Sequence, residues 1–332
     1  MNQENLKNRM STISVSRCIH LLGGLRAGTG HDGQLIIHPM GTPFRPVPVV
    51  TVSISDQKQY VDYFRSIGLD MIGFEKIHTD RGYTHSAWHG WDPDAMSAEE
   101  DLNYIWPGLA NAYRQEGDPE GDRLSRNVTF GLRAITVRLR DISEAYCAQT
   151  VMALCFGHKP GIRTKNLETI DVFLSLNSFL VEMGVLRDYL AAFVAVKRFG
   201  RYDITKMAKL RNVCKEYGND PIARHILKIC NRDGTDGWLA KLSGLRDYIV
   251  HEAPISSRTA FSGVSVQECI VESHRLPMVE LKISLPDSSD VQVDALVHCL
   301  ELYRKMLKLA RYVAVSSGQQ PKTIHLTDAD LR

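Results

Sequence analysis

The chain has 332 residues, and its 40 Lys and Arg against 38 Asp and Glu leave a net charge of +2. That length suits roughly two domains and needs no disulfide staple, while the balanced charge excludes both an acidic tail and a globally basic nucleic-acid binder. With 44% hydrophobic and 23% charged residues, the composition is that of a globular chain and not a disordered or collagen-like one.

The start, Met1-Asn2-Gln3-Glu4-Asn5-Leu6-Lys7, lacks the basic-then-apolar layout of a signal peptide, and no window offers 18 uncharged apolar residues. The expectation is a cytoplasmic protein with no membrane contact. Seven cysteines are scattered without a Cys-x-x-Cys pair, which predicts reduced, mostly buried thiols and no structural zinc.

Taken in chain order, residues 1–121 are rich in Gly, Pro, His and aromatics, with short β-branched runs at Ser11–Val15 and Val47–Ile54 around a turn-rich Gly23–Gly33 stretch. They read as an irregular α+β region, with helices expected at Asp56–Ile67 and Ser97–Tyr113, the latter opening on a Ser97-Ala98-Glu99-Glu100 capping box. The polar run Gln115–Asp122 reads as a linker, so the chain divides into 1–121 and 122–332.

Beyond it the sequence becomes helical. Val128, Leu132, Ile135, Leu139, Ile142, Tyr146, Met152 and Phe156 recur in steps of three and four, which predicts one amphipathic helix from Asp122 to Phe156, closed by Gly157. Asn166 caps a second helix that runs to Gly200; its apolar residues wrap most of the circumference, so it belongs at the centre. Two shorter helices, Ile204–Tyr217 and Pro221–Cys230, follow. Thr235 or Asp236 caps a further helix ended by Pro254, and Val291–Val315 forms the last. Between these two, Val264–Val271 and Met278–Leu285 alternate like the strands of a β-hairpin. The fold class is α+β: a mainly helical bundle with an inserted hairpin, plus the irregular N-terminal region.

The helix before Pro254 carries Leu245-Arg246-Asp247-Tyr248-Ile249-Val250-His251-Glu252, an Arg and a His separated by four residues. Cleavage of RNA by its own 2′-hydroxyl needs a base for that hydroxyl, an acid for the departing 5′-oxygen and positive charge on the phosphorane. A forked guanidinium and an imidazole supply these without a metal. In an ideal helix five residues turn about 500°, which leaves the two side chains some 140° apart. They converge only if the helix loosens before Pro254 or a second subunit contributes its own pair. Asp247 and Glu252 flank the pair and can orient either group.

An Arg-x4-His motif ahead of the last helix of a helical bundle resembles the HEPN superfamily (higher eukaryotes and prokaryotes nucleotide-binding domains) over about residues 122–316. Two positions after His251, where many toxin members have Tyr, stands Ala253. The resemblance implies a HEPN-like bundle and a metal-independent endoribonuclease with Arg246 and His251 as catalytic residues, assembled across a homodimer. It also implies RNA as partner, a toxin or antiphage-defence setting, and control by an antitoxin or regulatory protein, with no cofactor. The family's silent members leave open a non-catalytic module that binds RNA, nucleotide or protein.

Two basic stripes offer phosphate tracks: Arg126, Arg133 and Arg140 on the first long helix, and Arg304, Lys308 and Arg311 on the last. A vaguer set, His78, Asp80, His85 and His89 around Trp88 and Trp91 with His31, Asp32 and His38 upstream, has donors suited to a transition metal. Gly82, Gly90 and Pro93 read there as loop signals, and no metal site is assigned. The Gly-rich Gly23–Gly30 stretch lacks the Gly-Lys-Ser/Thr ending of a phosphate-binding loop.

Overall fold

The computed structural model describes residues 14–29, 34–39, 49–52, 54, 57–80, 83–95, 100–231, 237–258, 263–285 and 288–322. The predicted helix caps at Ser97 and at Thr235 or Asp236, together with His31 and Asp32, lie outside the described residues.

The N-terminal part is a regular sheet, not an irregular region. Strands β1 (Ser14–Leu21), β2 (Arg26–Thr29), β3 (Leu35–His38), β4 (Val50–Val52), β5 (Met71–Asp80) and β6 (Tyr83–Gly90) form an antiparallel six-stranded sheet in the order β4-β3-β2-β1-β5-β6. Side chains alternate across a strand, so Ile19, Leu21, Ala27, Leu35, Ile37, Val50 and Val52 share one apolar layer, which α1 (Gln57–Ser66) covers with Tyr60 and Phe64.

The stretch read as loop, around His78 to Gly90, is the β5–β6 hairpin. Gly73 and Gly90 mark close approaches, not turns: a Cβ on Gly73 would stand 2.5 Å from the Trp88 ring, and one on Gly90 would overlap the Tyr303 hydroxyl.

Helices α2 (Leu102–Gln115) and α3 (Pro119–Phe156) are joined by a tight turn, where a linker was expected. Asp118 caps α3 by accepting from the Gly121 amide at 2.9 Å and also receives the Lys197 ammonium, while Pro119 occupies the first helical turn, where its missing N–H costs nothing. Trp106, Leu109 and Tyr113 of α2 share one apolar core with Val128, Leu132 and Ile135 of α3, so the core runs across residue 121.

The central helix α4 (Glu168–Phe199) begins where the sequence places it: Asn166 Oδ1 accepts from the Thr169 amide at 2.9 Å, and Gly200 closes the helix in the left-handed conformation. Helices α3 and α4 cross at Gly131, where an added Cβ would stand 3.0 Å from Leu186 Cδ1 and 3.3 Å from its Cα; the missing side chain permits that approach. Helices α5 (Met207–Glu216), α6 (Pro221–Ile229) and α7 (Trp238–His251) follow, and α7 runs antiparallel along α4.

The predicted single hairpin is two. Strands β8 (Val264–Val271) and β9 (His274–Glu280) turn at Glu272 and Ser273, both at positive φ, and join the two-residue β7 (Arg163–Thr164). Strands β10 (Lys282–Leu285) and β11 (Ser288–Asp294) form the second. The last helix, α8 (Ala295–Ser316), therefore starts at Ala295, after the Asp294 cap, and not at Val291, which is in strand. Cys269, Val271 and Leu276 of the β8–β9 hairpin pack into the apolar layer beneath the N-terminal sheet, tying the two halves together.

Candidate functional site

The motif helix α7 buries Leu239, Leu242 and Leu245 and turns Arg246, Asp247, Val250 and His251 outward. It is seated on α4 by Arg187 Nη1, which donates to Ser243 Oγ at 2.7 Å, and by the Ile255 amide, which donates to Asn177 Oδ1 at 3.3 Å just past its end. Between these anchors the Arg246 stem rests on Gly184, where an added Cβ would stand 3.3 Å from its Cγ. The Arg246 guanidinium pairs with Asp247 at 2.9 Å, and the Arg246 side chain is 30% exposed. His251 and Glu252 are exposed at the helix end.

The helix does not loosen ahead of Pro254. It stays regular through His251, and the Glu252 and Ala253 amides both return to the Tyr248 carbonyl. One chain therefore keeps Arg246 and His251 on divergent directions. Past the end of α7, the chain at the start of α4 exposes Leu167 by 80%, Ile170 by 53% and Leu174 by 57%, together with Asp171, and Val250 of α7 is 43% exposed.

The two basic stripes do not border α7; apart from Arg126, which pairs within its own helix, they lie toward the sheet side. Arg133 donates to the Trp88 carbonyl of β6 at 3.4 Å, Arg126 pairs with Asp122 at 2.6 Å, and Arg140 with Asp141 at 3.5 Å. On α8, Arg304 pairs with Asp70 at 2.6 Å, Lys308 with Asp94 at 3.6 Å, and Arg311 with Asp92 at 2.6 Å. Arg304 and Arg311 are 23% and 20% exposed, so they clamp α8 to the N-terminal sheet and are not open phosphate ligands.

The histidine set is divided by the strand pattern. His78 and His85 stand opposite each other on β5 and β6, while His89 stacks on Phe74 with ring centroids 5.2 Å apart. His89 and Trp91 line a cleft of about 200 Å³ that Asp92, Asp101, Asn103 and Tyr303 close. Another, of about 210 Å³, lies between the small sheets, lined by Arg163, Gln267, Glu280 and Lys282. Neither is lined by Arg246 or His251.

Sequence reasoning missed a polar cluster where the large sheet meets α3. His20 of β1 and Arg26 of β2 are directly opposed, 1% and 2% exposed, and face Ser143 and Glu144 of α3 and Glu75 of β5. His20 also lies against Trp88, with ring centroids 4.7 Å apart, and Trp88 Nε1 donates to the Thr136 carbonyl at 2.8 Å. Burial, then the charges of Arg26 and Arg140, push the His20 imidazole down to about 2, so it is neutral. The signal in the sequence is two charged or polar side chains inside apolar runs, at Ile19-His20-Leu21 and Leu25-Arg26-Ala27. A buried Arg requires a carboxylate partner, and that partner, Glu144, lies more than a hundred residues away.

Among the described residues, no helix is long and apolar enough to cross a membrane, and no disulfide joins any of the seven cysteines. No family model matches the chain, and no curated protein or solved structure matches it.

Proposed function

We propose that the chain is a metal-independent endoribonuclease of the HEPN type that works as a homodimer, with Arg246 and His251 as its catalytic residues. The observation that carries this reading is the position of α7: it presents an Arg246 side chain left 30% exposed and an exposed His251 at the surface, with exposed apolar side chains at Val250 and, past its end, at the start of α4. Exposed apolar surface of that kind favours association. A twofold axis beside α7 brings the Arg246 of one protomer toward the His251 of its partner, which the 140° divergence within one helix prevents in a single chain.

In the paired site one His251 takes the proton from the ribose 2′-hydroxyl as the 2′-oxygen bonds to phosphorus. The phosphorane charge rests on the Arg246 guanidinium. The bond from phosphorus to the 5′-oxygen then breaks, and the same imidazole, now protonated, gives that oxygen its proton. Asp247, already paired with Arg246, sets the direction of the fork. RNA is the partner of the paired site, and an antitoxin or other regulatory protein would act by covering α7.

The test is incubation of purified protein with end-labelled RNA in excess chelator. Products ending in 2′,3′-cyclic phosphate, lost in Arg246→Ala and His251→Ala with an unchanged thermal melt, support the reading. RNA retained on a filter but uncut, with His251→Ala no different, points instead to the non-catalytic module.

A further inference from the structure

The polar cluster between the sheet and α3 goes beyond the α7 reading, since its residues belong to β1, β2, β5 and α3. Its contacts fix which atoms remain available. His20 Nδ1 lies 3.1 Å from Ser143 Oγ, which leaves Nε2 turned toward Glu144 Oε1 at 3.5 Å. Arg26 Nη2 holds the other Glu144 oxygen, Oε2, at 3.2 Å, while its Nη1 and Nη2 donate to Ser143 Oγ and the Ser143 carbonyl at 3.2 and 3.3 Å. Arg26 is thus spent on orienting α3, and one donor atom each from His20, Glu75 and Glu144 lies within 4.8 Å of the others.

That arrangement has the parts of a divalent-ion site. A tetrahedral ion with bonds of about 2.1 Å places its donors roughly 3.4 Å apart, close to the separation of His20 Nε2 and Glu144 Oε1. An imidazole fixed through its second nitrogen and a carboxylate fixed through its second oxygen are the usual supports of such ligands. Glu144 is 52% exposed and gives a path from solvent, whereas Trp88 closes the inner side.

We infer that His20, Glu75 and Glu144 bind one first-row divalent ion of the Zn²⁺ type, with the remaining coordination positions open to water or a ligand. Three protein donors from imidazole and carboxylate suit such ions. Ser143 and Arg26 are positioning residues.

The test uses the full chain, free of any affinity tag and stripped with chelator, titrated with Zn²⁺ by calorimetry and with Co²⁺ by visible absorption. The expected result is one strong equivalent per chain and a tetrahedral or five-coordinate Co²⁺ band. Glu75→Gln and Glu144→Gln should each weaken that equivalent at least about tenfold, with the Co²⁺ band lost. His20→Gln should remove the equivalent, and the two Glu variants, at less buried positions, keep the test decisive if His20→Gln does not fold. Absence of the strong equivalent in the wild-type chain overturns the assignment. So does an equivalent that Glu75→Gln and Glu144→Gln leave unchanged, since the ion would then sit on other cysteines and histidines.

Discussion

Arg246 lies on Gly184: a methyl group at that position of α4 would stand 3.3 Å from the Arg246 Cγ and 3.5 Å from its Nε. The guanidinium is therefore aimed by a helix surface without a side chain. Gly184→Ala gains helix propensity of up to about 1 kcal/mol, so the melting temperature should hold or rise. Displacing the fork should still reduce RNA cleavage by about ten- to a hundredfold. Parallel melting curves and cleavage rates check this; unchanged cleavage would detach Arg246 from the chemistry.

Arg311 and Arg304 should behave as structural residues. Each is mostly covered and bound to a carboxylate of the N-terminal part, Asp92 and Asp70. Arg311→Ala should lower unfolding stability by about 1–3 kcal/mol by leaving Asp92 without its cation. RNA affinity and its salt dependence should not change. Denaturant titration and filter binding at several salt concentrations separate the two, and a flatter salt slope with intact stability would restore these residues as phosphate ligands.

The long helices were legible in the sequence because their signals are local. The three- and four-residue apolar spacing of α3 and α4, the Asn166 cap and the closing Gly157 and Gly200 all act within a few residues. The β5–β6 hairpin was not legible, since Gly90 reads as a loop signal until Tyr303 is seen against it. The α7 motif was readable as a string, but its divergence on an unbroken helix needed the Tyr248 carbonyl contacts. The His20–Arg26–Glu144 cluster depends on strand pairing and on a helix over a hundred residues away, and neither is written in local spacing.

Acid should weaken the fold partly through His298 of α8, whose imidazole is pushed down to about 4 by burial and then by Lys305. A base with a depressed folded pKa contributes stability that is present above its ordinary value near 6.5 and is lost as pH falls toward 4. Two and a half units amount to at most about 3 kcal/mol. The stability difference between wild type and His298→Gln should therefore shift against the wild type by up to that amount between pH 7 and pH 4. Asp294 has the opposite sign: burial raises its carboxyl to about 6, so its contribution is present below about 4 and is lost as pH rises through 6. Asp294→Asn should accordingly steepen the acid loss. Chemical denaturation at each pH reads both, and parallel curves for wild type and His298→Gln would contradict the assignment.

The Asp294 cap holds three elements together. Its carboxylate accepts from the Val297 amide and the Leu281 amide, each at 2.9 Å, and from the Tyr146 hydroxyl at 3.2 Å. Asp294→Ala should cost about 1–3 kcal/mol, the loss of a helix cap together with a partner for buried donors. Tyr146→Phe, which removes one of the three bonds, should cost about 1 kcal/mol. Equal losses in the two variants would mean that the cap contributes nothing of its own.

If one protomer's Arg246 meets its partner's His251, two inactive variants should complement each other. Arg246→Ala and His251→Ala chains, unfolded and refolded together, give half mixed dimers, each holding one intact site of two. That mixture should recover about a quarter of wild-type RNA cleavage, with neither variant active alone. A mixture as inactive as its components, from chains shown to exchange into mixed dimers, would contradict it.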